Sequence, residues 1–200
     1  MIVRHTCSVM WERLLDIVMP QPKAEDWLVI AAGFSQHTQF PNCIGALDGK
    51  HIRLKKPAHS GSRSFNYKQC FSVALMAVAD SKYNFVLVDT GAYGSPSDAR
   101  VCSSSQMGQR LRNNELHVPG PSLLPGSTNT QVPHVLVADE GFGLSPNVLR
   151  PYPRRSLDKK RIFNYRLTRE RRFVEGAFGI LSAKLHVLLN SMELFPENAT

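Results

Sequence analysis

With 200 residues and 42% hydrophobic content, the chain is long enough for one domain with a real core and too apolar for a disordered segment. No apolar run approaches the roughly 20 residues a membrane span needs, and the N-terminal stretch carries acids without a clean apolar core, so neither a membrane protein nor a secretory leader is expected. The formal net charge is +8, and between Arg150 and Arg172 eight arginines and two lysines meet two acids, Asp158 and Glu170, a local balance of ten minus two. Two acids cannot pair ten bases, so this stretch is expected to face a polyanion rather than to form a salt-bridged helix.

In chain order, residues 8–34 read as helical with an interruption at Pro20 and Pro22. Trp27, Ile30 and Phe34 fall on one helix face. Four short apolar runs follow, and each reaches an aspartate: Cys43 to Leu47 before Asp48, Phe71 to Ala79 before Asp80, Phe85 to Val88 before Asp89, and Val135 to Ala138 before Asp139. Their length and valine content are those of buried strands. The five residues Asp80-Ser81-Lys82-Tyr83-Asn84 join the second and third closely enough for an antiparallel hairpin. Ser97 or Asp98 is expected to cap a helix running to about Leu111. The stretch from Asn113 to His134, rich in Pro, Gly, Ser and Thr, reads as a loop or an insertion.

A long helix is predicted over roughly Tyr165 to Leu189, with Leu167, Val174, Phe178, Leu181, Leu185 and Leu188 forming one apolar stripe. Gly176 and Gly179 within it point to close packing against a sheet. Three sequential strands, then strands interleaved with helices, predict a mixed sheet in an α/β domain. The four cysteines, Cys7, Cys43, Cys70 and Cys102, lack zinc spacing and are expected as small hydrophobes in a reducing compartment.

Strand-end aspartates stand on a rigid scaffold. If the first and fourth strands are neighbours, Asp48 and Asp139 face each other, and a hard divalent cation relieves the repulsion between them. Two such ions can promote attack on a phosphodiester. Glu175, beside Val174 at the edge of the apolar stripe, is the candidate third acid. Plainer roles stand beside these. Asp80 and Asp89 are expected as turn residues, Asp98 suits a helix cap or first turn, and Glu175 can pair with Arg171 or Arg172.

At these residues the sequence resembles the Harbinger/PIF transposase-derived nuclease family. The matching stretches are FPNCIGALDGKHIRLKKP (40–57), FNYKQCFSVALMAVAD (65–80), FVLVDTGAYGSPSDARV (85–101), VLVADEGFGLSPNVLRPYP (135–153) and KRIFNYRLTRERRFVEGAFGIL (160–181). They cover residues 40–190 well and 24–39 more weakly. The resemblance implies an RNase H-like mixed sheet flanked by helices and a DDE acidic site that binds Mg²⁺ or Mn²⁺. By motif it assigns Asp48, Asp139 and Glu175 as catalytic, with Asp98 as a further metal ligand. Asp139 and Glu175 are separated by 35 residues, similar to the spacing familiar in such enzymes.

The resemblance also implies two regions: a helical segment over 1–39, the remnant of a longer helical region, and a DDE nuclease-like domain over 40–200, expected to be shortened at its C-terminus. One departure is Gly176, where related sequences usually carry Asn. The expected function is metal-dependent DNA cleavage, with DNA phosphates held by Arg154, Arg155, Lys159, Lys160, Arg161, Arg169 and Arg172. The alternative is a catalytically impaired DNA- or protein-binding module. A Myb-like DNA-binding partner and a nuclear location, with the cytoplasm as a second compartment, complete the expectation. No membrane role is expected.

Overall fold

Two helices open the chain, α1 (Ile2–Val18) and α2 (Ala24–Thr38), parted where Pro20 and Pro22 withhold backbone donors. The computed structural model describes residues 2–56, 65–66, 69–93, 97–153 and 158–193, with the backbone alone at 3, 4, 92, 93, 98 and 158. Trp27, Ala31 and Phe34 are buried at helical spacing, so α2 lays one face on the sheet. The indole of Trp27 also donates to the Leu116 carbonyl at 2.7 Å, tying the long connection after Asn113 to the core. α1 instead leaves Val9, Met10, Trp11 and Leu14 exposed.

Strands β1 (Cys43–Leu54), β2 (Phe71–Ala79) and β3 (Phe85–Tyr93) form an antiparallel meander. Asp80 closes the β2–β3 hairpin as predicted: its carboxylate accepts the Lys82 and Asn84 amides at 2.8 and 2.9 Å. β1 runs six residues past Asp48, so this aspartate lies within a strand rather than at its end. β2 pairs with it all the way to Leu54 opposite Phe71, which keeps the polar-alternating tail extended.

The single helix predicted after Ser97 is two, α3 (Asp98–Ser104) and α4 (Gln106–Arg112). Ser105 is extended between them, and its hydroxyl accepts the Gly108 amide at 3.0 Å, starting a new helix. The predicted loop over 113–134 contains a short hairpin, β4 (Ser122–Leu123) with β5 (Gln131–Val132), which Asn42 holds by donating to the Ser122 and Val132 carbonyls. β6 (Val135–Val137) and β7 (Val148–Leu149) follow, then α5 (Asp158–Lys184) and a 3₁₀ turn over His186–Leu189.

The long helix therefore starts about two turns earlier than predicted and breaks before Leu185, which is exposed. Gly179 faces open space, while Gly176 meets the Tyr83 ring rather than the sheet. Of the cysteines, Cys43 is buried and Cys7 is exposed, which departs from four small hydrophobes.

The main sheet has the order β3-β2-β1-β6-β7, with β1, β6 and β7 parallel. One face, carrying Ile44, Leu47, Met76, Val78 and Leu136, packs on α2, α3 and α4 through Trp27, Val101 and Met107. The other, carrying Cys43, Ala46, Ala77, Ala79, Val135 and Val137, packs on α5 through Leu167, Val174, Ala177 and Phe178. This is the RNase H-like mixed sheet flanked by helices that the sequence led us to expect.

Candidate active site

β1 and β6 run parallel with Ala46 beside Val137. Asp48 lies two residues past Ala46 within β1, and Asp139 two residues past Val137, just beyond the end of β6. Neighbouring strands lie about 4.8 Å apart. Ala46 and Val137 belong to the core beneath α5, and strand alternation puts Asp48 on that side of β1. The sheet order thus makes neighbours of the first and fourth apolar runs, because β6 inserts beside β1.

Each aspartate is half-buried and locally anchored. Asp48 Oδ1 accepts the Gly49 amide at 2.9 Å. Asp139 Oδ1 accepts the Gly141 amide at 2.8 Å, and a Cβ at Gly141 would stand 3.0 Å from that oxygen. Arg150 steadies the turn by donating to the Glu140 and Phe142 carbonyls at 3.5 and 3.2 Å. Glu175 rises from α5, which covers the same face, but its Oε1 lies 3.3 Å from Arg171 Nη2. Among the described residues no three His, Cys, Asp or Glu side chains gather into a metal-holding group. Asp98 opens α3, and its side chain lies outside the described residues.

Three further residues belong to this account. Lys50, two residues past Asp48 and so on the same side of β1, places its ammonium 5.8 Å from the ring centre of Phe178, one helical turn beyond Glu175. The period-two spacing of Asp48 and Lys50 is the sequence signal for it. Asp89 is not a turn residue: it lies within β3, and its Oδ2 accepts the Met107 amide at 3.1 Å, holding the start of α4. Glu170 is fully buried, neither carboxylate oxygen has a hydrogen-bond partner, and burial lifts its carboxyl from 4.5 to about 7. Burial, with the neighbouring Glu170 charge second, also pushes the Cys43 thiol well up.

The basic stretch is borne largely by α5. Lys159, Lys160, Arg161, Arg166 and Arg172 are exposed and Arg169 is half-buried. Arg154 and Arg155 lie outside the described residues.

A mixed sheet of this order flanked by helices fits a class, and the chain belongs to it: residues 47–199 match the DDE superfamily endonuclease family. The sequence is 33% identical over 131 residues to Protein ALP1-like of Arabidopsis thaliana, covering 62% of this chain and 30% of that protein. It is 25% identical over 165 residues to the Arabidopsis thaliana protein Antagonist of like heterochromatin protein 1, covering 82% of this chain and 41% of that one. The chain thus spans well under half the length of these curated relatives. No solved structure matches it.

Proposed function

We propose that this chain is a divalent-metal-dependent DNA endonuclease domain of the transposase type, with Asp48, Asp139 and Glu175 as its acidic set and Asp98 beside them. The observation that supports the reading is the parallel pairing of β1 with β6, the two strands whose chains lead to Asp48 and Asp139. Two adjacent carboxylates are hard oxygen donors that fit Mg²⁺ or Mn²⁺. Such an ion, when bound, supplies Lewis-acid polarisation of a phosphodiester and lowers the pKa of an attacking water. The chain's own part is to hold Asp48 within β1 and Asp139 in its turn, to bring Lys50 alongside as a phosphate contact, and to hold the DNA backbone along α5. Glu175 completes the set once Arg171 releases it, with the phosphate backbone as the competing partner for that guanidinium.

The Arg171–Glu175 pair favours a second reading, a catalytically impaired DNA- or protein-binding module. One relative's name makes it an antagonist of a heterochromatin-type protein, and a chromatin role without cutting is the form this second reading takes. Under either reading we place the protein in the nucleus, with the tract RRSLDKKR (154–161) available for import and a Myb-like partner assisting DNA targeting.

The test is cleavage of plasmid and duplex oligonucleotides with Mn²⁺ by the purified chain, beside Asp48→Ala and Asp139→Ala. Metal-dependent nicking that both substitutions abolish is expected. Duplex binding without cutting, unaltered by either substitution, would establish the second reading.

A further inference from the structure

α1 stands apart from the packing that holds the rest of the chain. Among its described side chains Leu15 alone is half-buried, with Met19 just beyond the helix, so this is the side that α1 turns to the body. Cys7, Met10, Leu14 and Ile17 lie about a third of a turn round from it, at spacings of three, four and three. All four are exposed, Ile17 at 73%. Trp11 and Val18 widen the stripe, at 54% and 71% exposed, and an apolar groove runs beside it to Ile180 on α5. A 17-residue helix on its own is marginal in water and takes its stability from covering its apolar face. Within one chain the described residues leave this stripe uncovered.

A three-four-three repeat of apolar residues is the seam of a coiled coil, in which a like helix supplies the matching knobs and holes. Glu12 and Asp16 keep to the opposite side of α1, and the seam itself holds no charge. An uncharged apolar stripe complements itself, as a two-fold interface between identical chains requires. It offers no cation to a phosphate, so nucleic acid is not its occupant. With Ile180 included, the exposed parts of these side chains amount to on the order of 600 Å² per copy, or about 1,200 Å² across a pair, the lower bound of specific interfaces. We propose that this protein forms a homodimer in which α1 packs along Cys7, Met10, Leu14 and Ile17 against α1 of a second copy.

The test is sedimentation equilibrium of the full chain without DNA, with tryptophan emission followed over the same concentrations. Wild-type protein is expected to dimerise at micromolar concentrations, with emission moving to the blue as Trp11 leaves water, since Trp27 is already buried. Met10→Glu/Leu14→Glu should be a monomer that circular dichroism shows to be folded, and the milder Leu14→Ala should weaken the dimer about tenfold or more. Glu12→Ala, on the far side of α1, should dimerise as the wild type does. A wild-type chain that stays monomeric up to about 100 µM would leave the stripe to a different protein and overturn the proposal. A dimer that keeps its affinity in both seam variants, or that forms without moving the emission, would place the contact elsewhere and overturn it too.

Discussion

Glu170 and Asp80 show how one functional group takes opposite roles by position. Asp80 spends its carboxylate on a turn, accepting three hydrogen bonds in partial exposure. Glu170 is enclosed under α5, where Thr38, the hydroxyl beside it, donates instead to the Phe34 carbonyl at 2.6 Å. Desolvation lifts the Glu170 carboxyl to about 7, against the opposing influence of Thr38 and the Arg169 charge. The folded protein therefore keeps a proton that the unfolded chain releases near 4.5. Its contribution is fully present below about pH 4.5 and is lost as pH rises through about 7, up to about 3 kcal/mol in all. Urea titrations at pH 5 and pH 8 should show wild-type stability falling across that range, and Glu170→Gln, which stays neutral, should fall by about 2 kcal/mol less. An identical fall in both proteins would assign the pH response to other groups.

At the scale of the element, α5 carries the third candidate acid, most of the basic stretch and the helical side of one core cluster. Its seat on the meander depends on Gly176. A Cβ there would stand 2.6 Å from Tyr83 Cε1, and Tyr83 is itself packed on Phe173 with ring centroids 5.2 Å apart. Gly176 is thus matched to the β2–β3 turn, and placing Asn at this position brings its Cβ against that ring. Gly176→Asn alone is expected to destabilise the fold by about 1–3 kcal/mol through overpacking. Adding Tyr83→Ala should remove most of that penalty beyond what Tyr83→Ala costs by itself, giving a coupling energy in a double-mutant cycle. Strict additivity of the two substitutions would show that the ring swings aside freely.

For the whole molecule, the uneven charge sets how binding responds to salt. The excess of +8 lies between Arg150 and Arg172, at one end of the chain and on one helix and its approach. Neutralising about five phosphates gives a slope of log K against log salt near −4 to −5. Replacing Arg154, Arg155, Lys159 and Lys160 by Ala should flatten that slope by about 3 and leave sequence preference unaltered. An unchanged slope would place the proposed DNA contacts elsewhere. Arg150 and Arg171 are left out of that variant because each already has a protein partner, the Asp139 turn and Glu175.

Much of the scaffold was legible in the sequence because local chemistry fixes it. Apolar runs bounded by turn residues give strands, Asp80 gives the hairpin, the prolines part α1 from α2, and the ordered motifs point to the family and to Asp48, Asp139 and Glu175. Burial and pairing over long sequence separations are not written locally. The polar-alternating residues after Asp48 look like the end of a strand until β2 pairs along them. Nothing in a run of arginines marks Glu170 as the buried member, since that depends on how α5 is rotated when it docks. The contact between Gly176 and Tyr83 joins residues 93 positions apart. The sequence by itself determined which residue types were available for acid, base and core. Tertiary structure decided which of them meet, because sheet order and helix rotation are set by the simultaneous packing of both faces rather than by any one segment.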